Sequence, residues 1–300
     1  MWKLVLPFKR AKKPMAGSEP VTGLFSPEAM ARAWLQVKAN GGGPGVDGKT
    51  IRDFEARLEE NLEALRQELI RGTYRPQPVM RVLVPKPKGG LRPLAIWTLR
   101  DRVAQRVVYD YLEPIFEEGF LDCSYGFRPG RGVEDAVQAV LSHRDDGCRW
   151  VVDADIKNCF DSMDSRLLMR FLRRKVRNRI VLRLVKTWLD ARIFNPAPGE
   201  KGRAGASQGG ILSPLLCNIY LHPFDVEMTK QGLRLVRYAD DFVILCRHNR
   251  EAEKALKAAE RTLARLKLNL NPHKTRIVHF DQGFKFLGVF FLRNEHFYLS

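Results

Sequence analysis

Between residues 233 and 246 two apolar runs, Leu235-Val236 and Val243-Ile244-Leu245, flank the stretch Arg237-Tyr238-Ala239-Asp240-Asp241-Phe242. Short apolar runs meeting at such a junction read as two strands joined by a tight turn. Adjacent carboxylates repel, and setting them beside core strands makes the repulsion worse. A turn accommodates one Asp readily, but it accounts poorly for two flanked by Tyr and Phe. A cation held between them resolves the conflict. Magnesium suits the place, because it takes a few carboxylates while water and phosphate oxygens complete its shell.

A second acidic strand lies upstream, Trp150-Val151-Val152-Asp153-Ala154-Asp155-Ile156. Alternation puts Asp153 and Asp155 on one face and Trp150, Val152, Ala154 and Ile156 on the other. A lone Asp at a strand end is ordinarily a cap or an ion-pair partner. Combined with Asp240 and Asp241, this strand supplies the third ligand that a phosphoryl-transfer pair of metals needs. Residues 84–94, Val-Pro-Lys-Pro-Lys-Gly-Gly-Leu-Arg-Pro-Leu, read as a basic hairpin. Positions 86 and 92 are equidistant from 89, so Lys86 and Arg92 are expected to face each other and clamp a triphosphate. A solvated edge hairpin protected by Lys and Pro is the plainer account.

Lys and Arg number 51 against 34 Asp and Glu, a net charge of +17, which points to a polyanionic partner. A basic surface facing another protein is the alternative. With 45% apolar residues the chain can bury a core, and no apolar run reaches the length of a membrane span. Five scattered cysteines form no Cys-x-x-Cys pair and six histidines no ligand spacing with them, which argues against a zinc site or a disulfide framework. Residues 1–14 read as a basic arm rather than a signal peptide, and the chain as cytoplasmic, with no membrane partner. The glycine-rich stretch 40–48 marks a break, and everything before it reads as an appendage. Beyond it come a helix through Phe54, Leu58, Leu62, Leu65 and Leu69, strands at 79–84 and 91–97, and helices at about 100–118 and 133–143. A basic helical stretch over 166–190, a helix over 215–228 and another over 251–267 follow, with late strands near 275–280, 284–292 and 296–299. That mixture without a βαβ repeat is α+β.

Taken in order, these blocks resemble the reverse transcriptase domain of group II introns and their bacterial relatives. Residues 43–48 resemble that family's opening Gly-Pro-Gly-x-Asp-Gly block, 84–94 its fingers hairpin, and 124–131 its template-contacting loop. Asp153 to Asp161 match the first catalytic motif, Ser207 to Pro214 the nucleotide-pocket motif, and Tyr238 to Asp241 the Tyr-Ala-Asp-Asp box. Asn271 to Thr275 and Phe286-Leu287-Gly288 match the last two, so the resemblance covers roughly residues 40–300. It implies a right-hand polymerase: fingers and palm, with an antiparallel palm sheet backed by helices and the thumb absent. The implied division is a basic N-terminal extension over 1–39, fingers over 40–149, palm over 150–165 and 206–300, and a helical insertion over 166–205.

The resemblance also assigns roles. Asp155, Asp240 and Asp241 are implied to hold Mg2+, for which Mn2+ can substitute, while Asp153 lies two residues too early. Phe160 is implied to sit beneath the incoming sugar and exclude a 2′-hydroxyl, core packing being the plainer account. Lys86, Arg92 and Gln208 are implied nucleotide contacts, with Gly209 and Gly210 letting backbone come close. Lys274 is implied to give a proton to departing pyrophosphate, a surface lysine being equally good as an account. Tyr125, Phe127, Arg128 and Arg131 combine rings and cations in a pattern suited to gripping a template. The implied partners are an RNA template, a DNA or RNA primer and deoxynucleotides, with an integrase or other protein partner in CRISPR-associated relatives. An RNA-dependent RNA polymerase and a non-catalytic RNA-binding or splicing cofactor of the same fold remain the alternatives.

Overall fold

The computed structural model describes residues 21–85, 90–194, 202–206 and 208–299. In chain order the first elements are α1 (Val21–Leu24), α2 (Pro27–Asn40), α3 (Ile51–Glu55), α4 (Leu58–Arg71), β1 (Val79–Pro85), β2 (Leu91–Ile96) and α5 (Leu99–Glu117). Next come α6 (Val133–Asp145), β3 (Trp150–Asp155), α7 (Cys159–Ser162), α8 (Ser165–Lys175), α9 (Arg179–Leu189) and β4 (Ile193–Phe194). The remainder comprises α10 (Ser213–Lys230), β5 (Arg234–Tyr238), β6 (Asp241–Cys246), α11 (Asn249–Arg265), β7 (Arg276–His279), β8 (Phe284–Phe286), β9 (Val289–Leu292) and β10 (Glu295–Tyr298). The mixture is α+β, as expected.

Two compact units divide these elements, each built from separated stretches of chain. One takes Gly119–Asp164 together with residues 217–299; the other takes residues 21–118 together with Ser165–Leu216. The division runs at 118/119, 164/165 and 216/217. Helix α6 goes with the sheet because its buried face, Ala136, Val137, Val140 and Leu141, shares a core with Val151, Val236, Val243, Leu245 and Val278.

In the first unit four antiparallel strands lie in the order β5-β6-β3-β7. Strand β3 is interior, so Val151 and Val152 are both fully buried although they point to opposite faces. On the face away from α6, the Phe242 ring meets Phe224 of α10 at 5.1 Å. Helix α11 lies against β3, β6 and β7 through Ala252, Ala255, Ala259 and Leu263, small residues that let helix and sheet approach closely. A second antiparallel sheet, β10-β9-β8, carries Phe284 and Phe291, whose rings stack at 5.0 Å.

In the second unit β1 pairs antiparallel with β2 and parallel with β4. Here the residues before the glycine-rich stretch are no appendage. Ser26 caps α2, its side chain accepting from the Ala29 amide at 3.2 Å, and Pro27 occupies the first turn. The helix buries Met30, Ala33, Trp34 and Val37, with Trp34 stacked on Phe54 at 4.7 Å. The basic helical stretch is two helices, α8 and α9. It breaks at Asn178, whose side chain caps α9 by accepting from the Ile180 and Val181 amides. Buried Tyr74 ties α9 to α5: its hydroxyl donates to Asp101 at 2.5 Å and accepts from the Trp188 indole at 2.9 Å. Burial pushes the Asp101 carboxyl up, while hydrogen bonds from Tyr74, Thr98 and the Gln77 amide hold it down.

Replacing Tyr74 by Phe leaves both Asp101 and the Trp188 indole short of a partner, which costs about 1–3 kcal/mol. The expected outcome is a melting point lower by several degrees with the far-ultraviolet circular dichroism of the folded protein retained. A thermal melt of the two proteins side by side checks it.

Candidate active site

Register brings three carboxylates to one end of the four-stranded sheet. Asp155, the last residue of β3, stands opposite Asp241, the first of β6, and Asp241 in turn pairs with Tyr238 at the end of β5. That leaves Ala239 and Asp240 as a two-residue turn, with Ala239 at φ 56°. A side chain bearing a Cβ is uncommon in that left-handed region, so the turn needs to be held.

Arg237 holds it. Its guanidinium is wholly buried and donates to both oxygens of Asp225 on α10, at 2.6 and 2.5 Å. It also donates to Asn218 Oδ1 at 3.0 Å, to Ser124 Oγ at 2.8 Å, and to the Ala239 carbonyl in the turn at 2.8 Å. Loop 123–126 runs beside β5, the Tyr125 amide donating to the Arg237 carbonyl and the Arg237 amide to the Cys123 carbonyl, each at 2.8 Å. Gly126 ends that run against the turn. A Cβ there would sit 2.6 Å from the Ala239 nitrogen, so only glycine fits without a shift. Asn218 closes the arrangement by donating to the Gly126 carbonyl at 2.8 Å.

On the other side of β3, residues 269–275 run along its end. The Asn271 amide donates to the Asp155 carbonyl at 2.8 Å, and its side chain reaches Asp155 Oδ2 at 3.2 Å. Lys274 Nζ lies 3.0 Å from Asp155 Oδ1, though its side chain is largely exposed. Asp153 is occupied elsewhere, by Arg276 of β7 at 3.0 Å.

The electrostatics are strained in one direction. Burial, then the charge of Asp155, raises the Asp240 carboxyl, while its own backbone hydrogen bond, Lys274 and Arg237 pull it back. Asp241 has an open side to solvent, yet poor hydration beneath it, then the charges of Asp240 and Asp155, push it up to about 7. Lys274 pairs with Asp155 and also pulls down Asp240 and Asp241, joined at Asp240 by Arg237. Among the described residues no group of three His, Cys, Asp or Glu side chains stands arranged to hold a metal as it is, and Asp155 is instead engaged by Lys274 and Asn271. The donor chemistry nonetheless fits a hard divalent cation: three carboxylates, crowded by like charge, with one exchangeable ammonium among them.

The other expected site residues divide between the two units. Lys86 lies outside the described residues. Arg92 stands across from Val84, and Pro85 from Leu91, so Arg92 is not the partner of position 86. In that same unit the Gln208 carbonyl accepts from the Ala95 amide at 2.8 Å. A Cβ on Gly209 would lie 2.4 Å from the Ala95 oxygen, and one on Gly210 2.7 Å from Ser213 Oγ. The close approach those glycines permit is to the protein's own β2 and α10. In the first unit Phe160 is half-buried on α7. Arg128 is buried and donates to the Leu121 and Ser124 carbonyls at 2.7 Å, so it braces its own loop. Arg131 pairs with Asp122 and lies over the Tyr125 ring at 5.3 Å, while Phe127 is exposed at φ 57° and tilts toward Tyr238.

Sequence reasoning passed over Arg237, Asp225, Asn218 and Asn271. A signal existed for the first two: an Arg inside an apolar strand, and one Asp in an apolar helix, each needing a partner if buried.

Among relatives, the protein YkfC of Escherichia coli K12 is 34% identical over 91% of this chain and 82% of its own length. The group II intron-encoded protein LtrA of Lactococcus lactis is 30% identical over 88% of this chain, which spans about half of LtrA, 55%. Telomerase from Candida albicans, solved with a fragment of telomeric RNA, shares the fold at a TM-score of 0.56 and 15% identity, over 75% of this chain and 47% of that one. Among the described residues no helix is long and apolar enough to cross a membrane. The reverse transcriptase (RNA-dependent DNA polymerase) pattern matches residues 84–291, a span that holds Asp155, Asp240, Asp241 and Lys274 together, and the chain belongs to that family.

Proposed function

We propose that this chain is an RNA-directed DNA polymerase that adds deoxynucleotides to a primer 3′-hydroxyl on an RNA template. The observation that carries the reading is the meeting of Asp155, Asp240 and Asp241 at one sheet end, crowded by like charge and answered by an exposed lysine and, at Asp240, by buried Arg237. In this reading the sheet-bearing unit is the palm and the other the fingers. Asp155, Asp240 and Asp241 would hold Mg2+, which when bound activates the 3′-hydroxyl and neutralises triphosphate charge. Arg237 and Asn271 position those carboxylates. Lys274, within reach of Asp155, is suited to give a proton to the leaving pyrophosphate. Phe160, half-buried five residues after Asp155, sets the limit on the sugar. A non-catalytic RNA-binding role would leave three crowded carboxylates unexplained.

Purified protein with Mg2+ is expected to extend a DNA primer on an RNA template, and Asp240→Asn or Asp155→Asn to reduce extension by at least about a thousandfold, as loss of a main charge-stabilising group does. RNA binding in the same variants stays near wild type. Full extension by either variant would sink the metal assignment.

Phe160→Val is expected to raise ribonucleotide incorporation relative to deoxynucleotide severalfold with primer binding preserved, measured by single-nucleotide insertion. An unchanged sugar preference would reduce Phe160 to packing.

Asp241 supplies a pH signature. Its folded carboxyl titrates higher than the unfolded one, so its ionisation weakens the fold progressively from about pH 4 and fully above about pH 7. With chelator present, Asp241→Asn should therefore melt a few degrees above wild type at pH 8, the gap closing toward pH 4. Mg2+ at pH 8 should raise the wild-type melting point and do less for the variant. Parallel pH profiles of the two melting points would overturn the crowding argument.

A further inference from the structure

Two side chains of the segment after α11 engage the Asp155 carboxylate, and the two contacts differ in kind. Backbone stitches that segment to the end of β3: Lys157 donates to the Asn269 carbonyl at 2.9 Å, and Asn271 to the Asp155 carbonyl at 2.8 Å. Asn271 is held in turn, its Oδ1 accepting from the His273 amide at 3.2 Å while its Nδ2 reaches Asp155 Oδ2. The Lys274 and Thr275 amides both donate to the Asn271 carbonyl, at 3.1 and 3.0 Å, so the root of the lysine is fixed. Its ammonium is not. It lies 3.0 Å from Asp155 Oδ1 at the end of a side chain that is 62% exposed. A lysine stem is flexible, and water can take over its three rotatable donors. The ammonium can therefore leave without disturbing Asn271 or the strand end.

Arg237, the other cation that acts on Asp240, has no such freedom. It is wholly buried and bound to both oxygens of Asp225. The crowded carboxylates are thus offset by one fixed cation and one removable cation. A single ammonium is a weak answer to three carboxylates, whereas a divalent cation carries twice the charge and takes several oxygens at once. Both cannot rest against Asp155 together without close-range repulsion.

Resting on the metal reading of these three carboxylates, we propose that Lys274 is a resident counter-ion of the site, which competes with the divalent cation for Asp155 and gives it up on loading. Lys274 thereby lowers the affinity of the site for metal and keeps the carboxylates partly neutralised without it. The same exchange frees the ammonium that the polymerase reading uses as proton donor. The donor is then released only where the metal is in place.

The test counts Mn2+ binding by the loss of the free-ion electron paramagnetic resonance signal, up to millimolar Mn2+ and without nucleic acid or nucleotide. Lys274→Met is compared with Lys267→Met, an equal change of charge at an ammonium that engages Asp164 at 2.6 Å from a side chain 61% exposed. An exposed ion pair is worth up to about fivefold in an equilibrium, so Lys274→Met is expected to bind Mn2+ about two- to fivefold more tightly than wild type. Lys267→Met and the charge-conserving Lys274→Arg should stay close to wild type. Equal tightening in the two methionine variants would mean a general field effect and overturn the proposal, as would no tightening in Lys274→Met. A second readout follows the nitrogen itself, by limited acylation with an N-hydroxysuccinimide ester and peptide mass spectrometry. Mg2+ is expected to raise modification of Lys274 by a similar factor over chelator and to leave Lys267 unchanged. Unchanged modification of Lys274 while Mn2+ binds would mean that the ammonium stays on Asp155, which overturns the exchange and leaves the polymerase reading standing. Asp155→Asn separates the two readings: if it binds Mn2+ as well as wild type does, the metal assignment itself fails and takes the counter-ion role with it.

Discussion

A single buried ion pair organises the sheet-bearing unit. Arg237 and Asp225 are both without exposure and meet through two hydrogen bonds, and the remaining donors of Arg237 reach Asn218, Ser124 and the turn carbonyl of Ala239. Burying two charges is costly, and such a pair breaks even only when its geometry is good and its spare donors are satisfied. Here they are satisfied by three elements that need fixing: α10, loop 123–126 and the β5–β6 turn. Losing one partner would leave an uncompensated buried charge, at about 3–5 kcal/mol, and would release the turn that carries Asp240.

The same unit tolerates the opposite arrangement at its surface. Asp155, Asp240 and Asp241 crowd one another, and Lys274, with Arg237 at Asp240, offsets only part of the burial and repulsion that raise the Asp240 and Asp241 carboxyls. Exposed pairs such as Lys274–Asp155 contribute little stability. The rigid buried pair and the crowded surface carboxylates are thus complementary: the first fixes where the second must stay, although repulsion would drive them apart.

Much of this was readable from residue order. Short apolar runs located β5 and β6 with Asp240 and Asp241 at their junction, and alternation on the acidic strand β3 placed Asp155 at its end, since strand ends and turns are set by local pattern. What depended on distant partners was not readable. Arg237 looked like a charge in the wrong place because its partner Asp225 lies on another element. The Lys86–Arg92 pairing failed because register depends on where the turn centres, and Arg92 stands across from Val84. Helix α2 was taken for an appendage because the glycines at 41–43 read as a boundary, although Ser26-Pro27 and the spacing of Met30, Ala33, Trp34 and Val37 were there to be seen. Gly209 and Gly210 were assigned to a ligand when the crowding they relieve is internal, a distinction that only packing can make.

The interior position of β3 has a kinetic side. During synthesis the strand emerges well before either of its neighbours, because β6 waits for residues 156–240 and β7 for α11 beyond it. At ordinary elongation rates of about 5–20 residues per second, both edges of β3 stay open for several seconds or longer. An apolar strand with two open edges is a template for pairing with other chains. Asp153 and Asp155 sit on that strand, and unpaired carboxylates are the kind of charge that discourages such contacts. Asp155, which crowds the finished sheet end, would on the ribosome join Asp153 in keeping the central strand to itself until its partners arrive.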